Sequence, residues 1–358
     1  MQKLYHFLHR CLMQFHLDYY RVLHSFKTAL GCLIGLGLVW YLKWPSGQWV
    51  PITVMVVMSA QPHFGGAVQK ATMRFLGTAA GVMITLLTLI ALHDNIVAVF
   101  IVIFLACLFF TYIASSGGNI SYAGTLGGVT VILTLTATQA TPLLAIQRGF
   151  HIVIGIVIAL LVSRFVFPIH AREALRFSIA RVLRRLKRMY FETVSHSVQD
   201  ATLSHEMEVL YRKIVRQEEL LEEAKAGSFY FRKYRAELFT NIIGSERKLY
   251  RLINLMGKSL VTGQQIQVVQ QIKGLDDFHQ AIEQQLEKFA VYFEKAQPLE
   301  GVQNINSLLQ EILLNAKQLP NLENLQLVLQ EHSYLFFLEE IVHELAKVQS
   351  VVSVLNST

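Results

Sequence analysis

Between Thr28 and Pro168 the chain carries only six formally charged side chains: Lys43, Lys70, Arg74, Asp94, Arg148 and Arg164. A water-soluble domain of that length needs more charge than this to stay dissolved. In lipid the backbone must satisfy its own hydrogen bonds, which restricts a spanning chain to helices or a closed barrel. The apolar runs are continuous and do not alternate with polar positions, so they read as helices. After Pro168 charges recur every few residues. The fold class is therefore an all-α membrane protein. About six transmembrane helices fill residues 26–168, and a cytosolic antiparallel helical bundle occupies 169–358.

Residues 1–25 read as an interfacial amphipathic helix. Leu4, Phe7, Leu8, Cys11, Leu12, Phe15, Tyr19 and Val22 recur at helical spacing, opposite Arg10, Gln14, Asp18 and Arg21. No continuous apolar core or small-residue cleavage site marks a secretory signal.

Charge divides the chain as sharply as hydropathy does. Residues 1–169 hold nine Lys/Arg and two Asp/Glu, whereas residues 170–358 hold 23 of each. The basic excess thus belongs to the membrane half, where Lys and Arg set topology, and nucleic acid is not an expected partner. Cys11, Cys32 and Cys107 are odd in number, far apart and on apolar stretches, which excludes a disulfide framework. His6, His9, His16 and His24 have no Asp, Glu or Cys at matched spacing, so no metal is expected. No phosphate-binding loop or nucleophile elbow occurs, and Asp94 is the only acid in the spans. No cofactor and no enzymatic activity are expected.

The six expected spans are 26–43, 49–62, 75–92, 96–114, 121–139 and 150–167. The second is short and flanked by Pro51 and Pro62. The fifth is rich in Gly and Thr, from Gly124 to Thr138. With six spans, the N-terminus, the 63–74 and 115–120 loops and the C-terminal half share one side. That side holds Lys3, Arg10, Arg21, Lys27, Lys70, Arg74 and Arg164, so both termini are expected in the cytosol of an inner-membrane protein.

The two sets of three spans echo one another. Thr53-Val54 through Gln61, then Arg74 and Gly81, matches Thr130-Val131 through Gln139, then Arg148 and Gly155. A 3+3 inverted repeat would make the second and fifth spans equivalent, and interrupted spans at matching positions point to a transport site.

Three runs carry a family resemblance: Val22 to Leu30, leading into a span; Trp49-Val50-Pro51-Ile52-Thr53-Val54 with Gln61-Pro62; and Lys70-Ala71-Thr72-Met73-Arg74-Phe75-Leu76-Gly77-Thr78. Over residues 20–170 the chain resembles the fusaric acid resistance (FUSC-like) proteins, the aromatic acid exporters and the plant aluminium-activated malate transporters. The resemblance implies efflux or channelling of organic anions, with aromatic carboxylates as leading substrates. It also implies a periplasmic adaptor protein as partner. Larger bacterial members carry two such modules, so a homodimer would restore the count.

Arg74 and Lys70 have two readings: topology anchors reaching the headgroups, or an anion-attracting entrance in which Arg74 grips a carboxylate. Arg148 lies on the expected outer side, where topology gives no reason for an arginine, and it has pore-lining and interfacial readings. Thr53 and Thr130 are further pore candidates, as are Gln61 and Gln139, whose amides either meet a carboxylate or simply cap span ends. Pro51, Pro62, Gly77, Gly81 and Gly155 are packing or hinge positions, and Trp40, Trp44 and Trp49 aromatic-belt anchors.

In the C-terminal half, the seven basic residues between Arg172 and Arg188 read as a solvated face or as contacts to anionic lipid. Amphipathic stretches then cover about 202–226, 229–257, 263–296, 302–317 and 321–354. The expected function is an organic-anion transporter or channel. The rival is a non-transporting membrane scaffold or sensor that works through its helical bundle.

Overall fold

The computed structural model describes residues 19–59, 62–92, 95–137, 140–195, 200–259, 272–295, 297, 305–316 and 325–357, and among them there is no strand. The chain divides into two compact units, Met1–Ala171 and Arg172–Thr358.

The described residues of the first unit form six helices: α1 (Tyr19–Leu42), α2 (Trp49–Met58), α3 (Phe64–Ala91), α4 (Ile96–Ala114), α5 (Gly118–Leu135) and α6 (Pro142–Phe165). Four of them, α1, α3, α4 and α6, are long and apolar enough to cross a membrane. At 1.5 Å per residue the ten residues of α2 reach only about 15 Å, half the hydrocarbon thickness. The 18 residues of α5 are diluted by Gly and Thr. The most apolar helix, α4, buries only Val99, Ala106 and Phe110 and presents its other side chains outward, as a lipid-facing helix does.

The helix boundaries depart from those expected. Residues 1–18 of the N-terminal amphipathic stretch lie outside the described residues, and from Tyr19 one helix runs unbroken to Leu42. The 63–74 segment is the opening of α3, because its small residues Gly65, Gly66, Ala67 and Ala71 are buried and let it pack inward. Helix α6 starts at Pro142, where proline suits the first helical position and Thr141 Oγ1 accepts from Leu144 N at 3.3 Å. Lys70, Arg74 and Arg148 therefore sit within helices, not at their mouths. The turn before α5 needs positive φ at Gly117 (77°) and Gly118 (65°), which glycine adopts without strain.

Hydroxyls in this unit are mostly neutralised locally. Thr85, Thr88, Thr130 and Thr134 each donate to the carbonyl four residues back, at 2.7–2.8 Å. Lys27, expected as a topology anchor, is instead fully buried, and its Nζ donates to the Pro62 carbonyl at 3.4 Å, just beyond the negative end of α2.

The main helix pairings map onto themselves when α1–α3 are exchanged with α4–α6. Thus α1 packs on α2 as α4 does on α5, α2 on α6 as α5 on α3, and α3 on α6 at the centre. The glycines make the closest approaches. A Cβ on Gly155 of α6 would lie 2.6 Å from Thr53 Cβ of α2. One on Gly81 of α3 would lie 2.9 Å from Thr130 Cβ of α5. Both are the residues paired by the sequence echo. Gly77 abuts the backbone at Ala123 in the same seam.

The second unit contains α7 (Ala171–Ser195), α8 (Asp200–Gly227), a π-helical turn (Phe231–Arg235), α9 (Ala236–Ser259), α10 (Leu275–Lys295), α11 (Ile305–Ala316) and α12 (Leu325–Ser357). Residues 263–271 of the expected third stretch lie outside the described residues. Phe278, Phe289, Phe293, Leu186 and Ile282 fill the core. Three of the seven cations expected to face solvent or lipid along α7 are engaged within the unit. Arg184 pairs with Glu287 and Glu294, Lys187 with Glu287 at 2.8 Å, and Arg188 with Glu192 and Glu206. Beneath them His279 bridges two tyrosines, with Tyr190 Oη 2.6 Å from Nδ1 and Tyr334 Oη 2.9 Å from Nε2.

Two predictions follow from this packing. Gly155→Leu lowers the melting temperature of the purified protein by the equivalent of about 1–3 kcal/mol or more, because the facing atoms belong to backbone and a β-branched side chain. Gly37→Leu, at a glycine with open space around it, leaves the melting temperature near wild type. Burial holds the pKa of His279 down at about 4, so the unfolded chain takes up its proton first as pH falls. His279 thus contributes stability that is complete above pH 6.5 and drains away towards pH 4, amounting to about 3 kcal/mol. Hydrogen exchange in α7 and α10 of the full chain reads this as faster opening below pH 6, and His279→Phe flattens that pH dependence.

Candidate functional site

The seam where α2, α3, α5 and α6 meet holds two arginines, each almost wholly buried: Arg74 at 3% and Arg148 at 6% exposure. Among the described residues of the first unit there is no Asp or Glu at all. The price of withdrawing a guanidinium from water is therefore met only by neutral dipoles and aromatic faces.

Arg148 reaches from the second turn of α6 to two other helices. Its Nη1 donates to Thr134 Oγ1 of α5 at 2.9 Å, and its guanidinium carbon lies 3.7 Å from the centre of the Trp49 ring at the start of α2. Trp49 is thus a cation-stacking residue of the seam and not only a belt anchor. Trp40 is 80% exposed, as an anchor should be, whereas Trp44 sets its ring 5.4 Å from that of His151.

Arg74 is placed correspondingly on α3. The charge of Arg74 acts on the Tyr122 hydroxyl near the start of α5, and that hydroxyl donates to the Val56 carbonyl of α2 at 3.3 Å. Lys70, one turn earlier, holds its Nζ 4.8 Å from the centre of the same ring. Each central helix therefore offers a cation to an aromatic residue near the start of a neighbour: Arg74 to Tyr122, Arg148 to Trp49. The two guanidiniums are also within electrostatic range of each other.

Several buried polar atoms nearby find no hydrogen-bond partner in the structure: Arg74 Nε, Thr53 Oγ1, Thr78 Oγ1 and His151 Nδ1. A lipid-soluble interior normally satisfies such groups, so this constellation suits a polar occupant. Two buried guanidiniums with no acid among the described residues of the unit leave this seam with an excess of positive charge.

Of the sequence candidates, the structure brings Arg74, Arg148 and Lys70 into this seam, with Thr53 and Thr130 at its glycine crossings. Gln61 and Gln139 lie outside the described residues. Pro51 falls in the first turn of α2, where proline is tolerated, and its carbonyl accepts from Cys32 Sγ at 3.7 Å. Pro62 lies between α2 and α3 and receives Lys27. Gly77, Gly81 and Gly155 are close-approach positions. Sequence reasoning missed Tyr122, Thr134, Thr78 and His151 as members of the site. A signal existed for Tyr122 and Trp49, since each is an aromatic near the start of a matching span. A shallow groove of about 120 Å³ between α3 and α6, lined by Phe75, Val82, Gly149 and Val153 among others, is apolar, and neither guanidinium lines it.

An all-helical chain with apolar helices long enough to cross a bilayer and a paired cationic seam among them defines a class of polytopic membrane protein. The chain belongs to the fusaric acid resistance protein family, whose pattern matches residues 21–347 and so extends well past the membrane half. It is 30% identical over 179 residues to the multidrug resistance protein MdtO of Escherichia coli K12, covering 48% of this chain and 26% of MdtO. It is 25% identical over 173 residues to the inner membrane protein YeeA of the same strain, covering 48% of each. A p-hydroxybenzoic acid efflux pump subunit, AaeB of Pectobacterium atrosepticum, is 26% identical over 178 residues, covering 46% of this chain and 26% of AaeB. The matches thus span from a quarter to a half of these relatives.

Because no carboxylate among the described residues depends on either arginine, removing the charge leaves no orphaned acid there. Arg74→Met and Arg148→Met are expected to match or exceed wild type in detergent melting temperature, by up to about 4 kcal/mol in anion-free buffer. A loss of several degrees in both variants would show that the guanidiniums hold the helices together.

Proposed function

We propose that this protein is an inner-membrane efflux transporter or channel for organic anions, with aromatic carboxylates as its leading substrates. The observation that carries the reading is the pair of buried guanidiniums, Arg74 and Arg148, in a lipid-soluble unit with no acid among its described residues. A monovalent carboxylate entering this seam would supply the missing negative charge, and its ring would find Trp49 and Tyr122 beside the cations. The names of the relatives, one a p-hydroxybenzoic acid efflux pump subunit and another a multidrug resistance protein, favour the same substrate class.

In this reading α1–α6 all cross or enter the membrane as a 3+3 inverted repeat, and the exchange pattern of helix pairings supports it. Both termini and the second unit lie in the cytosol, in keeping with the basic residues on that side. Anions pass from Arg74, assisted by Lys70, to Arg148, with Thr53, Thr130, Gln61 and Gln139 along the path. A homodimer supplies two such units, and a periplasmic adaptor protein continues the route outward. With no nucleotide motif in the chain, an ion gradient or the membrane potential drives net export.

Flux of radiolabelled p-hydroxybenzoate from proteoliposomes under a clamped potential tests the proposal. Wild type is expected to conduct above empty liposomes, with flux falling tenfold or more in Arg74→Gln and Arg148→Gln, since about 1.4 kcal/mol of lost anion stabilisation suffices for that. Unchanged flux in both variants would remove the arginines from the path. No flux with p-hydroxybenzoate, malate or chloride would favour a scaffold acting through the second unit.

A further inference from the structure

Between α8 and α9 the chain reads Ser228-Phe229-Tyr230-Phe231-Arg232-Lys233-Tyr234-Arg235, and from Ala224 to Ala236 there are four cations and no acid. Exposed aromatics are scattered elsewhere in the second unit, at Phe177, Phe191, Tyr211 and Phe336, but here Phe229, Tyr230 and Tyr234 stand together, 67%, 53% and 55% exposed. Phe231 alone turns inward, 5.2 Å from the ring of Phe239, which in turn meets Phe293. Ser228 Oγ accepts from Phe231 N at 3.3 Å. The turn is thus anchored from below while Phe229, Tyr230, Arg232, Lys233 and Tyr234 face out and Arg235 is half-buried. Arg232 lies over Phe229 at 5.3 Å, Lys233 over Tyr234 at 5.0 Å and Arg235 over Tyr230 at 5.9 Å. The run includes a π-helical turn, Phe231–Arg235, a rare form often found at functional sites.

The place of this turn within its unit is informative. Helix α8 runs antiparallel to α7: Arg188 pairs with Glu206, and Arg185 and Arg181 act on Lys213. Arg176 and Arg235 both act on Tyr292. The turn therefore lies at the end of the unit where α7 begins. Ala171, the first residue of α7, follows the last residue of α6, Phe165, by six positions, which the backbone spans in at most about 21 Å. Phe177, 47% exposed, lies on the early part of α7 as well.

We propose that residues 228–235 dock on the anionic lipid headgroups of the leaflet on their own side of the membrane. Phe229, Tyr230 and Tyr234 sit at the interface, as aromatic belts do, and Arg232 and Lys233 meet lipid phosphates. Cations near an anionic surface and aromatics at headgroup depth attract independently, which gives a short turn a firm hold. The docking reaches beyond the transport reading and does not depend on it.

The test uses the full chain with Cys11, Cys32 and Cys107 replaced by Ser and a bimane label on Phe229→Cys. It is reconstituted in phosphatidylcholine nanodiscs, with or without phosphatidylglycerol, that carry a headgroup-nitroxide lipid. Strong quenching in the anionic discs is expected, lost in the R232E/K233E double variant and in high salt. A label on Glu208→Cys, towards the other end of α8, stays unquenched. Both variants alter exposed side chains and leave Phe231 in place. Equal, weak quenching of both labels would overturn the proposal, as would equal quenching in neutral and anionic discs. Protection of the label by added oligouridylate without lipid quenching would assign the turn to nucleic acid instead.

Discussion

The first unit depends on how two guanidinium groups are kept inside an apolar assembly that offers them no carboxylate among its described residues. Burying an uncompensated cation costs at least several kcal/mol in a real protein, and such a group persists only where dipoles, π faces or a bound anion stand in for water. Arg148 finds a threonine hydroxyl and an indole face. Arg74 has the Tyr122 hydroxyl nearby but leaves Nε without an acceptor. The partial satisfaction is informative in itself. A structural ion pair would have brought an acid, and none lies among the described residues of this unit.

Small residues set the geometry around that seam. Gly155 lets α6 lie against Thr53 and Val50 of α2, and Gly81 lets α3 lie against Gly127 and Thr130 of α5. Apolar side chains confer no hydrophobic drive between helices in lipid, so close backbone approach and dispersion contacts hold them together. Because the same two crossings recur on exchange of the two triplets, Arg74 and Arg148 are delivered from opposite central helices into one region. The second unit relies on different physics. It has a hydrophobic core of its own, and its polar contacts include the ion pairs of Arg184 and Lys187 across α7 and α10 and the Tyr190–His279–Tyr334 bridge.

Much of this was legible in the residue order because the relevant signals are local. Apolar runs of spanning length, the Thr-Val to Arg to Gly echo and the lone arginine at position 148 can each be read from a single segment. The unread features are all encounters between segments. Nothing local distinguishes Lys27 as a buried cap from Lys27 as a headgroup anchor, since the difference is whether the Pro62 carbonyl comes within reach. The 63–74 stretch looks like a charged loop until its glycines and alanines are seen to face neighbours. The aromatic and basic run at 229–235 reads as the start of the 229–257 amphipathic stretch, and nothing local marks residues 231–235 as a π-helical turn.

By itself the sequence determined that the chain is helical, that its first half belongs in lipid, and that arginine is nearly the only charge carried into the middle of that half. Those properties follow from composition and spacing, since transfer to lipid is decided residue by residue. Only the tertiary structure decided which aromatic each arginine meets, that both guanidiniums serve one seam, and which basic residues of α7 are spent on carboxylates. Those outcomes depend on distances between helices far apart in the chain. A charge is worth little or much according to what lies within a few ångströms of it.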